Sequence, residues 1–468
     1  MKKIALILCS LLVCSVITAQ TLLTINDKEI SKQEFEYYYK KNNHIDSDSL
    51  SPKDYLEMFI NFKLKVEEAY LLKYDTVASF EEEFNTYRAP LAAGHLTDSA
   101  KIKELEEEAY NYLLKDIEVS HILFRVENPE DTTLAYEKAI AAKKRAKKMD
   151  FNKLAEEVSE DPSVVVNKGK LGWVTGMTMV YPFEKAAFEL KKGKVSDPVR
   201  TAYGYHLIKV HNTRPTRGEI LVAHIFKRKP EDADSSQIDA IRKEMHRIHS
   251  VLTNGGEFED LVKAHSEDNN TLKGGVIPWI VTGKTNEIFE NAAFALKYPE
   301  DISPVIEAPY GFHIIQLKEK LAKADYDRWI PQIKTRIRMD ERALIIRKSF
   351  INKTRKEYNL TSQTDSEVLE YANNNLEKKY PEFGLLMQEY RDGILLFNIS
   401  KDQVWDKASK DEAKLKEIYD NGNFDKPYNK VRGIVISKYQ DELEQEWIKE
   451  LREKYTVTVN EDVLNTIK

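Results

Sequence analysis

The chain has 468 residues, 42% hydrophobic and 32% charged, with a formal net charge of −6. That length allows two to four domains with modest cores, and the near balance of charge excludes the basic stripe that a nucleic-acid partner needs. No segment beyond residue 20 is apolar enough to cross a bilayer, so no stable membrane insertion is expected.

The opening stretch, "MKKIALILCSLLVCSVITAQ", differs from the rest. Lys2 and Lys3 precede an apolar run from Ile4 to Ile17, and Ala19-Gln20 offers a small-residue cleavage site. This pattern predicts a secretory signal over residues 1–19, cleaved after Ala19. A short membrane anchor is the alternative reading, and lipidation at Cys14 is disfavoured by Val13 before it. Cys9 and Cys14 both lie in this stretch. The exported chain would therefore hold no disulfide, thiolate metal site or cysteine nucleophile.

"LLTI" (22–25) reads as a strand, and Ser31 with Glu34 as a capping box that opens a helix. Ser51-Pro52 starts a second helix, with Pro in its first turn. Tyr55, Phe59, Phe62, Val66 and Tyr70 follow at helical spacing. That stripe predicts core packing, or else an apolar groove for unfolded chains. A third helix is predicted from about Asp98 to Leu114.

Two segments then repeat each other. "VSHILF" (119–124) matches "VAHIFK" (222–227), and "VSEDPS" (158–163) matches "HSEDNN" (265–270). "KLGWVTG" (170–176) matches "VIPWIVTG" (276–283), and "FEKAAFEL" (183–190) matches "FENAAFAL" (289–296). "AYGYHLIKV" (202–210) matches "PYGFHIIQL" (309–317). Five blocks in fixed order mark a duplicated domain. Each copy reads strand, two helices, loop with strand, helix, strand pair, which predicts a small α+β sandwich.

From about residue 321 the chain is mostly helical. "YDRWIPQIKTRIRMDERALIIRKSFINKTRKEYN" reads as one long charged helix, bent at Pro331. "EYRDGILLFNIS" (389–400) could pack inside or line a groove. Leu443, Trp447, Ile448 and Leu451 form one apolar face, and "YTVTV" (455–459) alternates as a strand. A lone terminal strand needs a partner, and "LLTI" at the other end of the chain is the expected one.

Each copy repeats two histidines and an aspartate: His121, Asp161 and His206, then His224, Asp268 and His313. A metal site is disfavoured because no two ligands are closely spaced. A hydrolase triad lacks a nucleophile elbow. Composition alone favours histidines that satisfy each other in a core.

The ordered blocks "VSHILF", "SEDPS", "GKLGWVTG", "PFEKAAFEL" and "AYGYHLIKV" resemble the parvulin (rotamase) domain of peptidyl-prolyl isomerases, and the second set resembles another copy. The wider layout is similar to that of SurA-type and PpiC-type periplasmic chaperones. This resemblance implies an α+β class, with two small parvulin α/β sandwich domains (115–215 and 216–320). They would be inserted between mainly helical chaperone segments (20–114 and 321–468) that pack with each other. It implies a periplasmic peptidyl-prolyl cis-trans isomerase and chaperone without cofactor or metal. Its partners would be unfolded exported proteins with X–Pro bonds, outer-membrane proteins among them. The alternative is a holdase whose copies only bind clients.

By the same resemblance His121, Asp161 and His206 are the polar site of the first copy, and Met179, Phe183 and Tyr203 cup the proline ring. The first copy departs from the family pattern in the loop "GMTMVYPF", which reads as one residue long, so Met179 rather than Met177 is the aligned choice. In the second copy His224, Asp268 and His313 match, with Phe289 and Tyr310 in the cup. Thr285 stands where Met is expected and Asn269 where Pro is usual, so the first copy is expected to be the better isomerase.

Overall fold

A computed structural model describes residues 20–42 and 50–467. The expected signal over residues 1–19, with both cysteines, lies outside the described residues. The chain forms two compact units: one from residues up to Thr97 together with Thr354–Lys468, the other from Asp98–Lys353.

The first unit joins the two ends of the chain. Thr21–Ile25 is the central strand of a three-stranded antiparallel sheet, between Lys28–Ser31 and Val457–Val459. The expected pairing of the terminal strands is present, with Leu23 opposite Val459 and Ile25 opposite Val457. Ser51 caps the Pro52–Leu71 helix by accepting from Asp54 N, with Pro52 in the first turn where its missing N–H is harmless. The aromatic stripe of this helix is core: Tyr55, Phe59 and Val66 are buried, and Phe62 and Tyr70 pack against the same cluster. Trp447 and Leu451 join that cluster, with Leu443 at its edge. In "EYRDGILLFNIS", Ile394, Leu395 and Ile399 face the core, while Phe397 is exposed. Ser31 caps the Lys32–Asn42 helix through Glu34 N at 3.1 Å, but the box is not reciprocal. The Glu34 carboxylate pairs with buried Lys63 instead, because a charge partner inside a core outweighs a solvated cap.

The second unit holds both repeats. The first copy is a four-stranded antiparallel sheet in the order Lys170–Val174, Lys115–Arg125, Gly204–Pro215, Val199–Thr201. Alternation along Lys115–Arg125 sends Ile122 and Phe124 to one face, against the Thr133–Arg145 and Phe151–Val158 helices. Ile117 and Val119 point to the other face, against the Tyr181–Glu189 helix. The second copy repeats this plan with Glu219–Arg228, Gly311–Leu321 and Ile306–Ala308. Its outer strand is reduced to single bridges, Val276 to Ala223 and Ile280 to Ile220. Pro278, lying between those bridges, has no N–H to continue a ladder.

The long charged helix is two helices, Tyr326–Met339 and Arg342–Tyr358. The break is not at Pro331, which lies inside the first of them. It falls at Asp340, whose carboxylate accepts from Arg342 N at 3.0 Å and from the Arg342 guanidinium at 2.8 Å. A local carboxylate that satisfies the next helix's free N–H ends the first helix there. Among the described residues no helix is long and apolar enough to cross a membrane.

Candidate functional site

The sheet register brings each histidine pair together. His121 lies opposite Ile208 and Leu123 opposite His206, so the two histidines are diagonal neighbours on one face of the sheet. Their Nδ1 atoms are 3.3 Å apart. In the second copy His224 and His313 repeat the arrangement at 3.2 Å. Phe183 sets its edge against both rings of the first pair, and Phe289 does so in the second.

The repeated Ser-Glu-Asp block explains how the aspartate arrives. Ser159 Oγ accepts from Leu123 N at 3.1 Å and Glu160 Oε2 from Arg125 N at 2.7 Å, which ties the block to the end of the first strand. Ser266 and Glu267 do the same for Phe226 N and Arg228 N. Asp161 Oδ1 then accepts from the amide and hydroxyl of Ser163, both at 2.8 Å, and Asp268 Oδ1 from the amide and side chain of Asn270. The residue two positions on anchors the carboxylate in both copies, so Asn269 in place of Pro leaves that anchor intact.

Asp161 Oδ2 stands 2.9 Å from His121 Nε2, and Asp268 Oδ2 stands 3.4 Å from His224 Nε2. Neither contact is aligned as a directed hydrogen bond. Burial opposes ionisation of Asp161, but the Ser163 amide and hydroxyl, then His121, hold its pKa below the usual carboxylate range. Burial lowers His121 against the pull of Asp161. Burial and then His121 push His206 down to about 4. Burial and then His224 push His313 down to about 3.

The copies differ at a residue that the sequence reading missed. Thr201 Oγ1 lies 2.8 Å from His206 Nε2 and accepts from Tyr203 N at 3.2 Å. The acceptor-only Asp161 carboxylate beside His121 Nε2 favours the tautomers in which the Thr201 hydroxyl donates to His206 Nε2. His206 then donates from Nδ1 to His121 Nδ1, and His121 presents Nε2–H toward Asp161. Ala308 holds the Thr201 position in the second copy, opposite Gly311 as Thr201 is opposite Gly204. His313 Nε2 is accordingly buried without a hydrogen-bond partner. The signal was present in the sequence as the Thr/Ala difference five residues before the last histidine.

In the second copy His224, Asp268, His313, Thr285, Phe289 and Tyr310 all line one cavity of about 380 Å³. In the first copy Met179 and Phe183 share one apolar cluster. Tyr203 is 63% exposed, whereas Tyr310 is 44% exposed with its ring 5.3 Å from His313. The pocket loop has the same length in both copies. Met177 N donates to Glu184 Oε2 and Gly283 N to Glu290 Oε2, seven residues on in each case. That register places Met179 opposite Thr285. Met177 lies in a different cluster, with Trp329 and Ile333.

The buried histidines set a pH dependence. They are neutral in the folded chain and titrate near 6.5 when unfolded. The unfolded state takes up protons first, so stability is lost as pH falls from about 6.5 to about 4. The slope is ~1.4 kcal/mol per pH unit for each histidine. Thermal melts should show this decline, and His206→Gln with His313→Gln should flatten it. An equal slope in that variant would overturn the assignment.

The family model of the PPIC-type PPIase domain, Rotamase, matches residues 121–212 and 224–319. The chain therefore carries two copies of the parvulin-type domain that this model describes. Chaperone SurA of Aromatoleum aromaticum is 29% identical over 262 residues, covering 49% of this chain and 58% of that protein. Foldase protein PrsA of Geobacillus kaustophilus is 40% identical over 153 residues, covering 31% of this chain and 51% of that protein. The chain thus spans little more than half the length of these curated relatives. The solution structure of NmPin, the parvuline of Nitrosopumilus maritimus, is 37% identical, covers 21% of this chain and 97% of that one, and overlays with a TM-score of 0.18.

Proposed function

We propose that the chain is an exported peptidyl-prolyl cis-trans isomerase and folding chaperone, acting on unfolded proteins with X–Pro bonds, outer-membrane proteins among them. The observation that carries this reading is the duplicated histidine pair with its aspartate, set beside an apolar cup. His121, Asp161 and His206, and in the second copy His224, Asp268 and His313, are its polar groups. Met179, Phe183 and Tyr203, and their counterparts Thr285, Phe289 and Tyr310, receive the ring.

An X–Pro bond turns over a barrier of roughly 18–20 kcal/mol because rotation breaks amide resonance. Uncatalysed, this takes tens to hundreds of seconds. No covalent bond need break, and the enzyme has only to bind the twisted amide better than the planar forms. Planar resonance places negative charge on the carbonyl oxygen, and twisting withdraws it. A fixed carboxylate facing that oxygen therefore opposes the planar form and lowers the barrier. Ser163 holds the Asp161 carboxylate in place, and the neutral histidines leave its charge uncancelled. The apolar cup anchors the ring while the preceding residue rotates.

A protease-coupled prolyl-peptide assay on the full chain tests the reading. His121→Ala with Asp161→Ala should lower the rate at least about tenfold, or ~1.4 kcal/mol of barrier. His224→Ala with Asp268→Ala should matter less, because Thr285 and the unpartnered Nε2 of His313 weaken the second site. If the unmodified chain does not accelerate isomerisation, the enzyme reading fails. The holdase reading would then stand on suppression of client aggregation.

A further inference from the structure

The loop that carries Met179 joins the Lys170–Val174 strand to the Tyr181–Glu189 helix, and it is held from outside its own copy. Met177 adopts φ +63°, in the left-handed region, where the second copy has Gly283 at φ +85°. A side chain there is strained, and the surroundings must hold it. Its side chain is buried with Leu105, Trp329, Ile333 and Ile337. The Arg336 guanidinium donates to the carbonyls of both Met177 and Met179. Arg342 reaches Met177 Sδ at 3.9 Å and stacks 4.2 Å over the Tyr181 ring. Glu108 accepts from Tyr181 Oη at 2.9 Å and from Lys185 Nζ at 2.7 Å. These contacts come from the Ser99–Leu113, Tyr326–Met339 and Arg342–Tyr358 helices, none of which lies within the matched segment 121–212.

We propose that Arg336 is a positioning residue for the proline pocket of the first copy: it fixes the Met177 and Met179 carbonyls, and so sets where the Met179 side chain stands beside Phe183. This rests on the reading of the first copy as an isomerase. Arg336 suits the role better than Arg342. Arg342 is fully buried against a buried carboxylate. The Arg336 side chain is one-third exposed and meets neutral carbonyls that water can satisfy in its absence, and Asp340, 3.7 Å from it, keeps Arg342 as its partner. Its loss should leave the fold standing and slacken the loop. A cup that binds the ring in planar and twisted states alike contributes uniform binding, which appears in KM rather than kcat.

The test uses the full chain carrying His224→Ala and Asp268→Ala, so that the first copy supplies the measured rate. Arg336→Ala is expected to raise KM for a prolyl peptide about tenfold, the equivalent of one charge-assisted hydrogen bond, with kcat held within about twofold. Arg336→Lys, which keeps one donor, should recover part of the loss. Amide hydrogen exchange at residues 177–181 should quicken in Arg336→Ala. An unchanged KM, or a fall in kcat that tracks a lowered Tm, overturns the proposal. If the unmodified chain shows no isomerase activity, that counts against the function proposed above. Exchange then decides alone: faster loop exchange supports positioning by Arg336, and unchanged exchange overturns it.

Discussion

Lys63→Met should destabilise the unit built from the two chain ends by roughly 3–5 kcal/mol, the usual result of stranding one member of a buried ion pair. Lys63 and Asp392 are both essentially without solvent exposure, and Lys63 Nζ lies 2.6 Å from Asp392 Oδ2. Glu34 supplies a second carboxylate. The ammonium also sits within 5.7 Å of the Tyr38, Phe59 and Phe62 ring centres. Burial alone would lower the Lys63 pKa, but Asp392 and then Glu34 outweigh it and raise the value. The ammonium is therefore charged throughout the physiological range, and methionine fills its volume without its charge. Asp392 would keep Gln388 and a weak contact from Tyr38 at 3.4 Å, too little for a buried anion. Urea unfolding should show the transition of this unit moving while that of Asp98–Lys353 stays. Adding Asp392→Leu should restore much of the loss, because an apolar pair removes the stranded charge. A double variant no better than the single one would overturn this account.

Arg342→Met is expected to have a comparable effect on the other unit, also roughly 3–5 kcal/mol. Arg342 Nη2 is 2.6 Å from Glu184 Oε1, and each side chain is 1% exposed. Burial already raises the Glu184 pKa, with Arg342 the largest opposing influence. Without Arg342 the carboxyl should protonate at still higher pH. The sign then follows. A group whose folded pKa lies above its unfolded value binds more protons when folded, so stability rises as pH falls. The deficit of Arg342→Met should therefore be larger at pH 8 than at pH 6 in urea titrations. A pH-independent deficit would show that the lost packing, not the stranded charge, is responsible.

The duplication and the paired histidines were legible because two constraints act on them at once. Strand alternation fixes which residues face the covering helix, and a one-residue slip would turn His121 away from His206. Other features depend on tertiary partners that a linear reading does not contain. Thr201 looks like any strand threonine until the sheet brings it to His206 Nε2. Glu34 has the spacing of a capping box, and only the buried Lys63 shows why its carboxylate turns away. Pro331 was overweighted as a bend. Pro331 is the sixth residue of its helix and does not end it, and the Asp340–Arg342 contact sets the break. The Ser-Glu-Asp block was read for its aspartate alone, although its serine and glutamate hold the strand end.

The sheet that joins Thr21–Ile25 to Val457–Val459 has a consequence for biogenesis. Two strands separated by nearly the whole chain can pair only after everything between them has been made, and loop-closure entropy makes such contacts late in folding. Synthesis runs from the N-terminus, so Asp98–Lys353 can fold while the aromatic stripe from Tyr55 to Tyr70 still waits for Trp447 and Leu451. During that interval its N-terminal segment is itself unfolded with exposed aromatic residues, in the same state as the clients proposed for it.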